Sequence, residues 1–593
     1  MDMFRFLLVS LIIDGILKES TVHRRRERLR EMTGGSGLRD AYRVMIERIK
    51  AQDGDKPRLG MEALMWISHA ERPLWADELC HVLAIELGSK SFNDDNITPI
   101  STLLSYCQGL ITVDKEASTV RLIHSTLKEY LSAHSNLFSR PHSAMAEICL
   151  TYLNSQQVKA LSADPFRVMP DTPFLEYCSL YWGVHAKMEL SPCARSLALE
   201  LFQGYDGHAS TQLLLEEQQS LGFDDFGGCI PFSGLHCASF FGIVELVAAL
   251  IEMQHYDINE GDVGGCTPLA WAAQNGHEGV VKMLLEREEV SPDKPDNRGR
   301  TPLLRAARNG HDEAVKMLLG REDVNPNKPG DHGNTPILYA AIYGHEVVVK
   351  ILLEHEVVNP DQANEDGQTL LIHASQSGHE KVVEMLLGRK DVNPNKPGRR
   401  GNTPILYAAI HGHEGVVKIL LEQEVVNADQ PNQDGETPLW HASRAGNEKI
   451  VEMLLGREEV NPDKPNDQGN TPLAIAAQCG HEDVVKIFLG RKEVDPEKLD
   501  NDGDSPLSCA AYGGRDGVVK ILLEHEGVNP DRPNDAGQTP LSIAAQYGHE
   551  GVVKILLEQQ EVNPNEVDND GQTPLMYATR NGHQRVIELL QLH

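Results

Sequence analysis

From residue 233 to the C-terminus, apolar and polar positions follow one block that returns every 34 residues. In the copy that starts at Thr267, Leu269, Ala272 and Ala273 lie three and four apart and share one helix face. The paired alanines keep that helix thin. Val280, Val281, Leu284 and Leu285 repeat the helical spacing and predict a second helix. Thr267 before Pro268 is a helix start: the hydroxyl caps free amides, and proline at the first position gives up no hydrogen bond. Gly276 falls where the first helix must stop, in a conformation that glycine adopts cheaply. Asp296-Asn297-Arg298-Gly299 predicts a turn, and later copies put Asp-Gly there, at Asp366-Gly367, Asp434-Gly435 and Asp570-Gly571. The start recurs at Thr301, Thr335, Thr369, Thr403, Thr437, Thr471, Ser505, Thr539 and Thr573, and a weaker copy precedes them at Ser233. Eleven copies in one register predict an all-α solenoid in which each unit touches only its neighbours.

The unit D-x-x-G-x-T-P-L-x-x-A-A-x-x-G-H-E-x-V-V-x-x-L-L resembles the ankyrin repeat. The period is that of tetratricopeptide repeats, and ankyrin units usually run one residue shorter. The Trp, Leu-Gly and Tyr of a tetratricopeptide first helix are missing, however, and the extra residue falls in the loop Val290 to Pro295. The resemblance implies a surface that grips protein partners with its turn tips and the exposed end of each first helix. On that surface it places Asn275, Arg308, Tyr343, His411, Arg444, Tyr512 and Tyr547. Tyr and Arg are residue types that dominate interface energetics. Residues 333–342 recur almost letter for letter at 401–410, two repeats on, which reads as duplication of a two-repeat block.

The chain ahead of the repeats has a different rhythm. Residues 3–17 read as an apolar helix, 21–31 as a helix with a basic run, Gly34 to Gly37 as a connector, and Gly37 to Ile49 as a helix. Helices are then expected from Arg58 to His69, from Ala76 to near Leu87 and from Ile97 to Leu104. Two β-branched runs, 110–113 and 119–123, flank the turn Asp114-Lys115-Glu116, and a helix follows from Ser125 to Leu131. Three helices and a hairpin are the order of a winged helix. Residues 140–232 read as mostly helical, with Trp182, Phe202 and Leu213 to Leu215 in a core that caps the first repeat. The expected organisation is a helical segment 1–57, a winged-helix domain 58–135, a helical linker and cap 136–232, and eleven repeats over 233–593.

Tyr42…Ile46-Glu47-Arg48-Ile49, Glu71-Arg72-Pro73-Leu74…Glu78-Leu79, Cys107-Gln108-Gly109-Leu110 and Val120-Arg121-Leu122-Ile123-His124-Ser125…Glu129-Tyr130-Leu131 carry a second resemblance. They are similar to the segment after the nucleotide-binding core of fungal NACHT–ankyrin proteins, which are STAND-type, NOD-like receptors. That segment is sometimes labelled the GPI inositol-deacylase winged-helix domain. The resemblance implies the sensor half of such a receptor. The phosphate loop G-x-x-x-x-G-K-[ST] of a NACHT ATPase occurs nowhere in the sequence. The chain begins where the ATPase core would end, so a truncated gene model or a receptor fragment without a motor is expected.

Charge narrows the function classes. The formal charge is −32, which repels nucleic acid and anionic membranes. Winged-helix DNA binding is the weakest reading, because residues 60–134 hold five basic against ten acidic residues. The apolar run Phe6 to Ile13 is interrupted by Asp14 and is too short to span a bilayer. Ten scattered cysteines without a C-x-x-C pair fit a reduced, cytoplasmic chain, with the nucleus open as well. Neither G-x-S-x-G nor H-E-x-x-H occurs, so no esterase or zincin chemistry is expected. The recurring Gly-His-Glu histidines stand one per repeat, roughly 10 Å apart. That is too far for shared metal ligation, and a structural hydrogen bond at the interhelix turn is expected. The expected function is therefore a non-enzymatic protein–protein interaction scaffold, with no catalytic residues, no cofactor and no metal. The alternative is the C-terminal part of a nucleotide-driven STAND receptor.

Overall fold

The structure is a computed structural model that describes residues 37–114, 116–161, 172–205, 207–220, 232–253 and 255–593, with single positions 21, 23 and 24. The helix expected over 3–17, most of that over 21–31 with its basic run, and Gly34 to Ser36 of the connector lie outside these. The chain divides into two compact units, Met1–Asn297 and Arg298–His593.

In the first unit, α1 (Gly37–Lys50), α2 (Lys56–His69), α3 (Ala76–Val82) and α4 (Ile100–Tyr106) precede the strands β1 (Ile111–Val113) and β2 (Val120–Leu122), then α5 (Ser125–Ala133). The strands are antiparallel, with Thr112 opposite Arg121. Asp114 Oδ1 closes their turn by accepting from the amides of Glu116 and Ala117. Two expected helix bounds are corrected. α3 ends at Val82, because Ala84 and Ile85 bond to His81 and Val82 in tighter i→i+3 turns. α4 starts at Ile100 rather than Ile97, since Pro99 holds extended backbone ahead of it. Glu78 is fully buried and accepts a bidentate pair from Arg72 at 2.6 and 2.8 Å, plus the Trp75 amide at 2.8 Å. Arg72 also lies over the Trp75 and Tyr177 rings. The E-R-P-L…E-L sequence thus encodes a structural ion pair.

Next come α6 (Pro141–Leu153), α7 (Gln156–Lys159), α8 (Leu175–Met188), α9 (Pro192–Phe202) and α10 (Ala209–Ser220). Phe174 and Tyr177 pack on Trp66 of α2. His142 Nδ1 and His185 Nδ1 are 2.9 Å apart, and Tyr177 Oη lies 3.0 Å from His185 Nε2. Trp182, Phe202 and Leu214 are buried, and Leu213 is half-buried. The Leu215 side chain lies outside the description. Trp182 packs edge-on against Phe202 and against Phe241 of the first repeat, and Tyr256 Oη donates to the Phe202 carbonyl. The unit ends with two helix pairs, Gly234–Phe241 with Val244–Glu252 and Pro268–Gln274 with Glu278–Leu285.

The second unit is an all-α repeat solenoid, numbered here as repeats 3 to 11 from Thr301. In repeat 6, the first helix is Pro404–His411 and the second Glu414–Leu421. Ala408, Ala409, Val416, Val417 and Leu420 are fully buried between neighbours. The starting hydroxyl accepts from the third helical amide at Thr301, Thr369, Thr437, Thr471, Ser505, Thr539 and Thr573. Thr335 and Thr403 depart from the expected cap. Both follow a short 3-10 turn with positive φ at its centre, His332 at 57° and Arg400 at 59°. The cap is lost where the entry to the helix changes. Successive repeats are laced by histidine. His345, His379, His413, His481, His549 and His583 place Nε2 at 2.9–3.0 Å from a backbone carbonyl 37 residues earlier. Arg515 replaces one of them and donates to the Gln478 carbonyl.

Candidate protein-interaction surface

Each first helix buries its alanine face and leaves its C-terminal end open. The seven residues expected at that end fall into two adjacent columns of the 34-residue register. Asn275, Tyr343, His411 and Tyr547 share one, while Arg308, Arg444 and Tyr512 stand one position earlier.

Six of the seven belong to the second unit, and the structure brings two pairs together. The Arg308 guanidinium lies 5.7 Å from the Tyr343 ring and 5.7 Å from the ring of Tyr339. Tyr512 and Tyr547 meet edge to face at 4.8 Å, and both are about half exposed. Arg444 stands over Trp440 at 5.7 Å. His411 stacks beside His413, and burial followed by the His413 charge holds its imidazole below the usual range. Asn275 belongs to the first unit. Its amide donates to the Phe240 carbonyl at 3.0 Å, beside His277 Nε2 on the same oxygen. That side chain ties two repeats together.

A third column, three residues before the arginines, escaped the sequence reading. It holds Arg305, Tyr339, His373, Tyr407, His441, Ile475, Cys509, Ile543 and Tyr577. The signal was available: one position of an otherwise alanine-lined helix carries large or polar residues in every repeat. These side chains reach the turns. Tyr407 Oη accepts from Gln368, Tyr577 Oη accepts from Gln538, and Tyr577 also bonds Asp568. His441 Nε2 lies 3.0 Å from the Glu436 carboxylate, and its pKa is lowered, burial outweighing the opposing pull of Glu436. Trp440, one position before this column and also not singled out from the sequence, is 5% exposed and lines an open groove of about 540 Å³ with Asp434, Glu436, Arg444, Asp467 and Ile475.

The face offers rings, guanidinium groups and turn carboxylates, the chemistry of recognition. Among the described residues, no group of three or more His, Cys, Asp or Glu side chains is placed to hold a metal ion. Among them, too, no helix is long and apolar enough to cross a membrane.

Comparison with known families gives two matches. Ankyrin repeats (3 copies) match at residues 235–329, 322–397, 388–466, 454–534 and 526–593, which together cover more than half of the chain. The GPI inositol-deacylase winged helix domain matches at residues 47–140. No curated protein matches the chain.

Proposed function

The chain belongs to the ankyrin-repeat family, and from that membership we propose that the inner face of its repeats is the docking surface of a non-enzymatic scaffold. The observation that carries this is the set of ring and guanidinium groups at the first-helix ends, Arg308 with Tyr343, Arg444 over the buried Trp440 of its own helix, and Tyr512 with Tyr547. The rings supply large contact area at small conformational cost, and the guanidinium groups add directed hydrogen bonds and charge. We further propose that the scaffold is the sensor half of a NOD-like signalling protein. The winged-helix match ahead of the repeats supports this, because NACHT–ankyrin proteins carry the two in that order. In this reading the segments 1–57, 58–135 and 136–232 connect a signalling core to the repeats over 233–593. The partner is a protein, and the charge of −32 disfavours nucleic acid.

The test is affinity capture with the full chain as bait, read by quantitative mass spectrometry. A variant carrying Arg308→Ala, Tyr343→Ala, Arg444→Ala, Tyr512→Ala and Tyr547→Ala should lose its partner while melting like the parent. Unchanged capture by that folded variant would place the docking surface elsewhere.

A further inference from the structure

In the first unit, ahead of the repeats, the chain after α3 and the end of α6 enclose a cavity of about 180 Å³. That is below the range of about 300–1,000 Å³ that holds drug-sized ligands, and it leaves room for one small ring. The loop that forms one side is held by α7. The Lys90 carbonyl accepts from the Gln156 amide at 2.9 Å. The Gln157 side chain accepts from the Phe92 amide at 3.2 Å and donates to the Phe92 carbonyl at 2.9 Å. Asn96 Nδ2 donates to Glu86 Oε1 at 3.2 Å. The walls are thus fixed by bonds within the chain.

Tyr152 lines this cavity and is 4% exposed, and its hydroxyl has no hydrogen-bond partner among the described residues. The Trp66 and Trp182 indole nitrogens also lack partners but have no accessible surface, whereas the Tyr152 oxygen is not sealed in this way. Burial, then the nearby Cys178 and Asp94, holds the phenol protonated, so it both donates and accepts. A buried polar group in that position is satisfied only by what enters the cavity. The rest of the lining selects the class of ligand. Ser91 and Ser155 bring hydroxyls and Asn93 and Asn96 bring amides, groups that also donate and accept. The lining holds no lysine, arginine or histidine to neutralise a phosphate or carboxylate. Its one carboxylate, Glu86, is exposed and already accepts from Asn96, so it offers a cation little. Phe92 stands edge-on to Tyr152 at 6.3 Å and gives the cavity an apolar wall.

Independently of the docking face on the repeats, we propose that this cavity binds an uncharged, polyhydroxylated ring of hexose size, oriented by the Tyr152 hydroxyl. Ring hydroxyls donate and accept at once, as the lining does, and the carbon face of the ring packs on Phe92. A free sugar and the terminal residue of a glycan share this chemistry.

Saturation-transfer NMR with the full chain tests this. The probes are glucose, galactose and mannose, with glucuronate and glucosamine as the anionic and cationic counterparts. At least one neutral hexose should bind saturably, and both charged counterparts should bind roughly tenfold or more weakly. Tyr152→Phe keeps the ring that packs against Phe174 and should melt like the parent while weakening the hexose roughly tenfold. Tyr106→Phe, in the same unit but outside the cavity lining, should leave binding unchanged. Hydrogen exchange in saturating hexose should slow at residues 84–96 and 151–155, a readout that needs no variant. Methyl glycosides that bind as well as the free hexoses point to a glycan terminus, and their exclusion points to a free sugar; both keep the proposal. No transfer to any neutral hexose, equal or tighter binding of a charged counterpart, equal loss in both tyrosine variants, or protection outside those residues would overturn it.

Discussion

Gly378→Ala perturbs the contact that locks one repeat onto the next. Gly378 ends the first helix of repeat 5 at φ +77°, and a Cβ there would lie 2.6 Å from His413 Nδ1 of repeat 6. The left-handed backbone costs an L-residue about 1–2 kcal/mol. His413 must also move, which breaks its 2.9 Å bond to the Gln376 carbonyl and costs about 0.5–1.5 kcal/mol more. The expected loss is about 2–3 kcal/mol. Gly412 supplies the control: its φ is +74°, but Asn447 stands below it and a Cβ would lie 3.2 Å from the amide. Gly412→Ala should cost only the backbone part, about 1–2 kcal/mol. The assay is hydrogen exchange at the amides of residues 416–421, because a repeat array opens locally and a global transition would average the effect away. Adding His413→Asn to Gly378→Ala should make the two changes less than additive. Equal costs at Gly378 and Gly412, or strict additivity in the double variant, would refute the steric reading.

Three further outcomes follow from the packing. Arg72→Ala should destabilise the first unit by about 3–5 kcal/mol, because it strands the fully buried Glu78 carboxylate; unchanged urea unfolding would show that the pair contributes nothing. His185 is held at about 3 by burial, then by His142 and His69, against 6.5 for an ordinary imidazole. The folded state therefore binds the fewer protons, so stability should fall as pH drops below 6.5 toward 3, by about 1.4 kcal/mol per unit. Denaturation midpoints of parent and His185→Gln at pH 7 and 5 check this, and an identical slope in both would contradict it. Deleting residues 333–400 joins His332 to Gly401 in register and should leave a folded second unit shorter by about 20 Å; a molten product by circular dichroism would show that the repeats are not interchangeable.

The elements written in local signals were legible. Thr-Pro starts, paired alanines and Gly-His junctions each act within one repeat or between neighbours, so the period alone located the helix pairs. The winged-helix order was legible from the two β-branched runs. The helix ends at Val82 and Ile100 were not, because tight turns and a proline outweighed apolar spacing there. The uncapped Thr335 and Thr403 depend on the turn before them, which the repeated letters of the block do not reveal. At the candidate surface, the helix-end positions came from family resemblance. That Arg308 meets Tyr343, and that Asn275 is committed to the Phe240 carbonyl, depends on how side chains cross between repeats. Trp440 and the column of Tyr339 and Tyr407 sit on the same helices as the alanines and were not singled out.

The most direct measurement is hydrogen–deuterium exchange of the full chain with and without a captured partner. Protection should appear at the first-helix ends and turn tips of the repeats, around Arg308 to Tyr343, Trp440 to Arg444 and Tyr512 to Tyr547, while the second helices stay unchanged. Protection confined to the second helices, or to residues 37–220, would contradict docking on the inner face.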